Sequence, residues 1–242
     1  MKIVIDTHTH SIASGHAYST IDEIARSAKK KRLKGFVITE HGPALQGFPH
    51  VYYFGNLRIL PKTLYNVRVF SGVELNIMDM HGGVDLSSKY LRNLDFVMAG
   101  FHEACFPPQN VKENTSAMIA AIANPLVDGI SHPGNPVYPV DIEEVVKAAV
   151  HYGKALEINN SSFVVRRGSE ENCRNVARFA REYGAMLSCG SDAHYCDDVG
   201  NFARALGVIT EIGVHHEQIV NSSFEQFMEF SEKRKMERLS VG

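Results

Sequence analysis

Histidine and carboxylate recur where the apolar runs of this 242-residue chain stop. Lys2 to Asp6 leads into Thr7-His8-Thr9-His10, Gly35 to Thr39 into Glu40-His41, and Val67 to Val73 into Glu74. Asp95 to Phe101 ends at His102, Val127 to Ser131 at His132, and Met186 to Ser191 at Asp192-Ala193-His194. Imidazole and carboxylate are the ligands that hydrolytic metal ions take. In His8-x-His10 the two-residue period of a strand puts both rings on one side, where they can share an ion. Asp192-x-His194 repeats that geometry with one carboxylate and one imidazole. Glu74 closes an apolar run, and an acid buried there needs a partner or a cation.

Taken singly, His41, His102, His132 and the loop residue His16 each have an ordinary structural reading. Taken together, seven of the twelve histidines fall at strand ends or in the first loop. The other five (His50, His81, His151, His215, His216) lie in helices or outer loops. The candidate set is therefore His8, His10, His16, His41, Glu74, His102, His132, Asp192 and His194. A hydrolytic ion usually takes three or four protein ligands and keeps a place for water. This set fits two or three ions with one carboxylate bridging, and paired ions can clamp both oxygens of a phosphoryl displacement.

The elements that must hold these residues read as repeated strand-helix units. Seven runs are predicted strands, the six above and Lys154 to Asn159. Most are apolar on consecutive positions, as suits a parallel sheet covered by helices. Ser19 with Asp22 predicts a helix start, and Ile21, Ile24, Ala25, Ala28 and Leu33 follow at helical spacing. Asn114 opens a second helix, stopped by Asn124-Pro125. Asp141 with Glu144 opens a third that ends at Gly153, and Ser169 a fourth that ends before Gly184. Weaker patterns cover Val199 to Ile212 and Phe224 to Lys235. Glu74 to Ser88, with Gly82-Gly83 inside it, reads as a hairpin excursion. Strand then helix over a length near the roughly 250 residues of a closed barrel predicts one α/β domain, residues 1–242, with its chemistry at the strand ends.

A formal charge of −2 offers no general attraction to nucleic acid or to an anionic membrane. No apolar stretch approaches the roughly 20 residues of a membrane span, and no secretory signal opens the chain. Four scattered cysteines without a Cys-x-x-Cys pair read as free thiols, which places the protein in a reducing cytoplasm.

The ordered set Asp6-Thr7-His8-Thr9-His10, Thr39-Glu40-His41, Gly72-Val73-Glu74, Gly100-Phe101-His102-Glu103, Ser131-His132-Pro133-Gly134 and Gly190-Ser191-Asp192-Ala193-His194 resembles the PHP (polymerase and histidinol phosphatase) family. His16-Ala17-Tyr18-Ser19 and Glu157 to Phe163 look like the small stand-alone bacterial YcdX-type phosphoesterases. The resemblance spans essentially the whole chain. It implies a distorted seven-stranded (β/α)7 TIM-like barrel with a trinuclear site of zinc, manganese or iron at the C-terminal ends of the strands. It further implies that His8, His10, Glu74 and Asp192 hold one ion. Glu74 would bridge to a second, completed by His102 and His132, and His16, His41 and His194 would hold the third. Asp6 would orient a ligand. One departure is Glu40, where the family usually has aspartate, so the contact made by that side chain must shift by a methylene.

The expected activity is hydrolysis of a phosphate monoester, a small phosphorylated metabolite, by attack of metal-bound hydroxide. Arg166 and Arg167, just past the strand ending at Asn159, are candidate phosphate clamps, since guanidinium pairs with phosphate in bidentate fashion. Glu157 reads either as a partner to a ligand or as a paired buried acid. Neither a P-loop nor a G-x-G-x-x-G pattern offers a competing phosphate site. Alternative readings are a metal-dependent amidohydrolase, a nuclease or phosphodiesterase of the same family, and a non-catalytic metal-binding module. Homo-oligomers, trimers included, are compatible with the family.

Overall fold

A computed structural model describes residues 1–241. In chain order its elements are β1 (Ile5–Thr9), α1 (Ile21–Lys30), β2 (Gly35–Ile38), α2 (Val51–Asn56), β3 (Thr63–Leu64) and β4 (Val67–Asn76). Next come α3 (Ser88–Leu91), β5 (Phe96–Gly100), α4 (Val111–Ala123), β6 (Gly129–Ile130), α5 (Ile142–Tyr152) and β7 (Ala155–Asn159). The chain finishes with α6 (Ser162–Val165), α7 (Ser169–Tyr183), β8 (Met186–Gly190), α8 (Ala203–Ile212) and α9 (Phe224–Ser240). Seven strands pair in parallel in the order β1-β2-β4-β5-β6-β7-β8, and the short β3 adds to β4 antiparallel. This is a nearly closed barrel of parallel strands alternating with helices, as the strand-helix pattern predicts.

Closure between β8 and β1 is made by loops and side chains instead of a continuous ladder. The amide of Asp192 donates to the carbonyl of His8, and that of His10 to Ala193, both at 2.9 Å. Lower down, Asn221 fills the gap between the two strands. Its amide nitrogen donates to Ile5 and Cys189 carbonyls, and its oxygen accepts from the Cys189 amide. One side chain thus satisfies backbone groups that a missing ladder would leave bare.

Two apolar regions divide the core. The larger lies between the strands and the surrounding helices. The smaller lies inside the barrel, where Phe227 and Phe230 of α9 pack on Ile5, Val37, Phe70, Phe96 and Met98. That plug fills the N-terminal end of the barrel and leaves its C-terminal end to polar residues. α9 is anchored by ions as well: Arg238, fully buried, bonds Asp128 and the Leu94 carbonyl.

Several boundaries differ from the sequence reading. The first strand is Ile5–Thr9, not Lys2 to Asp6, because the strand continues past His8 and ends just before His10. Its register with β2 slips between Asp6 and Thr9. The extra residue changes the parity of the strand, so Ile5 below and His8 and His10 above all face the barrel interior. α1 is capped by Thr20 with Glu23 in a reciprocal box, one residue beyond the Ser19 and Asp22 expected. α4 begins at Val111 under Asn110, not at Asn114, whose buried side chain instead bonds Gln109 and Pro139. α5 and the glycine ends at Gly153 and Gly184 fall where the spacing predicts. α8 starts at Ala203, and α9 runs on to Ser240. β3, α2, α3 and α6, each of two to six residues, are too short to leave a periodic signal. Among the described residues no helix is long and apolar enough to cross a membrane.

Candidate metal centre

Every histidine and acid singled out at a strand end reaches the open end of the barrel. His8 on β1 and His10 just past its end bring their Nε2 atoms to 2.9 Å from each other. Glu74 Oε2 lies 3.3 Å from His8 Nε2 and 3.5 Å from His10 Nε2. Asp192 Oδ1 lies 3.5 and 3.4 Å from the same two atoms. Donors about 2.0–2.1 Å from a tetrahedral ion stand about 3.4 Å from one another. His8, His10 and Glu74 therefore converge at the spacing that one small cation would set, and Asp192 stands at that same spacing from both imidazoles.

Two further groups join onto this one through Glu74 and His10. Glu74 Oε1 is 2.8 Å from His132 Nε2 and 3.5 Å from His102 Nε2. His41 Nδ1 is 2.9 Å from Glu74 Oε2, yet the two are not aligned as a hydrogen bond. His41 thus belongs to one cluster with Glu74 and His102 and to another with His10 and His194. His16 completes the outer group, its Nε2 2.8 Å from that of His194.

Backbone and neighbouring side chains fix which nitrogen of each ring faces inward. The Nδ1–H of His16 donates to the Ser14 carbonyl and that of His194 to the Asp192 carbonyl, both at 3.0 Å. His8 Nδ1 is held by Glu157 Oε1 at 2.8 Å. Each donation leaves a lone pair on Nε2, so pairs of lone pairs face each other across the centre. Glu74 Oε2, His41 Nδ1 and both nitrogens of His102 are buried without a hydrogen-bond partner. Facing lone pairs and orphaned acceptors are what a divalent cation satisfies, and the nitrogen and carboxylate donor set suits zinc, manganese or iron.

Electrostatics favour positive charge at the centre. Burial works against ionised Glu74, but His8, His102 and His41 around it hold its carboxyl well below the usual range. Asp192 is held low against the same burial by His8, His10 and Arg166. Burial drives the His41 ring down to about 4, keeping it neutral and its lone pair available. Backbone strain marks the same place: His132 and Asp192 have φ of 34° and 56°. Left-handed geometry in a residue other than glycine costs about 1–2 kcal/mol and tends to persist where function demands it.

Two glycines make room. A Cβ on Gly100 would fall on Ser131 Oγ and lie 3.0 Å from His132 Cε1. One on Gly190 would fall on Glu157 Oε1 and lie 2.6 Å from His8 Cβ.

Asp6 and Glu40 are both buried beside the ligand set. Asp6 touches no imidazole; it accepts the amides of His8, Ser191 and Gly200 and so fixes the backbone next to His8 and Asp192. Glu40 binds Ser11, Ser14 and Tyr53. Glu157 holds the His8 ring with one oxygen and the His132 amide with the other, so of its two readings the ligand-orienting one matches the geometry. Sequence reasoning passed over Asn159, which donates to both Glu157 and Asp192.

The residues converge beneath a cavity of about 600 Å³ lined by His16, His41, His102, Asp192 and His194 on its floor and by Arg166 and Arg167 on one wall. Arg166 donates to Asp192 Oδ2 at 3.2 Å and to Ser162 at 3.1 Å. A family model for the PHP domain matches residues 6–161. The chain belongs to the PHP domain family. A probable phosphatase of Acetivibrio thermocellus is 51% identical to this PHP chain, covering 99% of each. A probable phosphatase of Caldicellulosiruptor saccharolyticus is 46% identical over 95% of this chain and 96% of its own. Kinship of that depth over whole chains makes this PHP protein a phosphatase, a hydrolase of phosphoric esters. Its fold is similar to that of a histidinol phosphate phosphatase from Lactococcus lactis, solved with zinc, L-histidinol and phosphate. The TM-score is 0.65 at 16% identity, with 89% of this chain and 95% of the other covered, a likeness of fold alone.

Proposed function

We propose that this PHP protein hydrolyses the phosphate monoester of a small metabolite at a centre of up to three divalent ions, with the whole described chain acting as one catalytic domain. The observation that carries this is the convergence of His8, His10 and Glu74 within 3.5 Å of one another, with Asp192 within 3.5 Å of both imidazoles. Glu74, through its second oxygen, would share an adjoining ion with His102 and His132. His16, His41 and His194 would hold an outer ion. His41 has contacts in both directions and would lean toward either. Zinc is the first expectation, with manganese or iron also suited to imidazole and carboxylate.

When bound, such ions lower the pKa of a coordinated water and offset the charge of a phosphoryl group. The chain's own residues supply the remainder. His8, His10, His16 and His194 present fixed lone pairs because their other nitrogens are engaged. Arg166 holds Asp192 by one oxygen, leaving the other toward the imidazoles, and its wall of the cavity would receive phosphate oxygens. Arg167, exposed on the same wall, would contact the ester from outside.

A panel of purified protein with zinc, manganese or iron, offered a phosphomonoester, a phosphodiester and an amide, tests this reading. Turnover of the monoester well above the other two supports it. Preference for the diester or the amide would replace it with a nuclease or amidohydrolase reading.

A further inference from the structure

Glu157 fixes His8 directly, but His10 Nδ1 meets no carboxylate. It lies 3.2 Å from the hydroxyl of Ser14, in the single 3-10 turn Ile12–Ser14 that follows β1. The same hydroxyl donates to Glu40 Oε2. A serine hydroxyl has one proton to give and two lone pairs to fill. With its proton on Glu40, Ser14 can only accept from His10 Nδ1–H, and it also accepts the His41 amide at 3.3 Å. The Ser14 carbonyl meanwhile accepts the His16 ring. One fully buried serine therefore touches three of the histidines that face the centre.

We propose that Glu40, acting through Ser14, is the positioning residue that sets the tautomer of His10 and the seating of His16 and His41. This deepens the metal-centre reading and rests on it. The extra methylene of Glu40 is what lets one carboxylate span the turn. Oε1 takes the Ser11 hydroxyl at 2.5 Å, the Ser11 amide at 3.1 Å and the Tyr53 hydroxyl at 3.1 Å. Oε2 takes Ser14 and shares the Ser11 amide. Tyr53 ties this turn to α2, and burial together with the Glu40 charge keeps its phenol protonated as a donor.

The asymmetry between the two oxygens gives a sharp test. In Glu40→Gln the amide oxygen must take the Oε1 place, where three donors meet, which leaves the NH2 facing Ser14. The Ser14 hydroxyl then accepts from Gln and turns its proton toward His10 Nδ1. His10 would carry its hydrogen on Nε2 and lose the lone pair that faces the centre. Replacement of the hydroxyl in Ser14→Ala removes the relay without that reversal.

The experiment is zinc binding to the full-length protein, parent against Glu40→Gln and Ser14→Ala, by competition with a chelator of known affinity. Histidine nitrogen NMR of the apo proteins reads the tautomers alongside. Orienting partners of metal ligands are typically worth about 10–100-fold in affinity. The expected result is a loss of that size for at least one ion in both variants, with His10 switched to the Nε2–H form in Glu40→Gln only. Parent-like zinc affinity in both variants, with unchanged His10 shifts, overturns the relay while leaving the metal centre intact. A parent that binds no zinc, manganese or iron overturns the reading beneath it as well. If Glu40→Gln fails to fold by circular dichroism, Ser14→Ala decides between the same two affinities.

Discussion

His16 and His194 face each other through their Nε2 atoms at 2.8 Å while both Nδ1 atoms are committed to carbonyls. Two neutral rings cannot donate to each other in that arrangement, so the pair suits a shared cation, or a proton on one ring. His194 Nδ1 also lies near Asp192, which ties this outer pair to the central group.

Removing one member of this pair should empty the outer position and little else. His194→Ala is expected to lose about one equivalent of bound metal, with stability changed by no more than about 1 kcal/mol because the ring is 30% exposed. Glu74→Ala should lose about two equivalents, since its two oxygens serve adjoining groups. Elemental analysis of dialysed protein distinguishes them; equal losses would mean that Glu74 does not bridge.

Room at the centre depends on the glycines as much as on the ligands. Gly100→Ala should shift Ser131 and His132 and lower stability by about 1–3 kcal/mol, with weakened metal binding. Urea unfolding and zinc competition check it. Unchanged values in both would show that the strand end yields freely.

The far end of the barrel is held by a different set of charges. Burial pushes the Asp128 carboxyl up, against Arg238, Arg234 and the Val97 amide that pull it down. Asp128→Ala leaves the buried Arg238 without an acid, while Arg234 keeps Glu237, and should cost about 3–5 kcal/mol. Bound metal per folded molecule should stay at the parent value, because this lock lies at the opposite end of the strands. A coupled loss of metal would contradict that separation.

Lys154 supplies a pH dependence remote from the metal centre. Burial, then the charge of Arg234, lowers its ammonium pKa to about 8. Between pH 8 and the unfolded value near 10.5, the unfolded chain holds a proton that the folded chain has released. Stability from this group therefore rises with pH across that window. Relative to Lys154→Met, the parent should gain stability from pH 8 to pH 10.5, read from urea midpoints. Parallel curves for the two proteins would rule the assignment out.

Legibility in the sequence followed the range over which each signal acts. The strand-helix alternation and the residues at strand ends are local patterns, and they led to the barrel and to its polar end. Parity inside β1 was not readable, since a bulge between Asp6 and Thr9 depends on pairing with β2. Thr20 and Asn110 were missed as caps because neighbouring residues, Ser19 and Asn114, are equally good by composition. Glu157, Asn159 and Ser14 act on partners far away in the chain or through a hydroxyl, so only the fold reveals what they touch. Arg166 stood out by its type, but its contact with Asp192 spans 26 positions and leaves no local trace.

The most direct measurement is a metal titration of chelator-treated protein, following both bound zinc and phosphomonoester turnover. Activity that is absent without metal, returns as two or three equivalents bind, and fails to return in Glu74→Ala is the predicted result. Full turnover in metal-free protein, or filled sites that give no monoester hydrolysis with zinc, manganese or iron, would contradict the account.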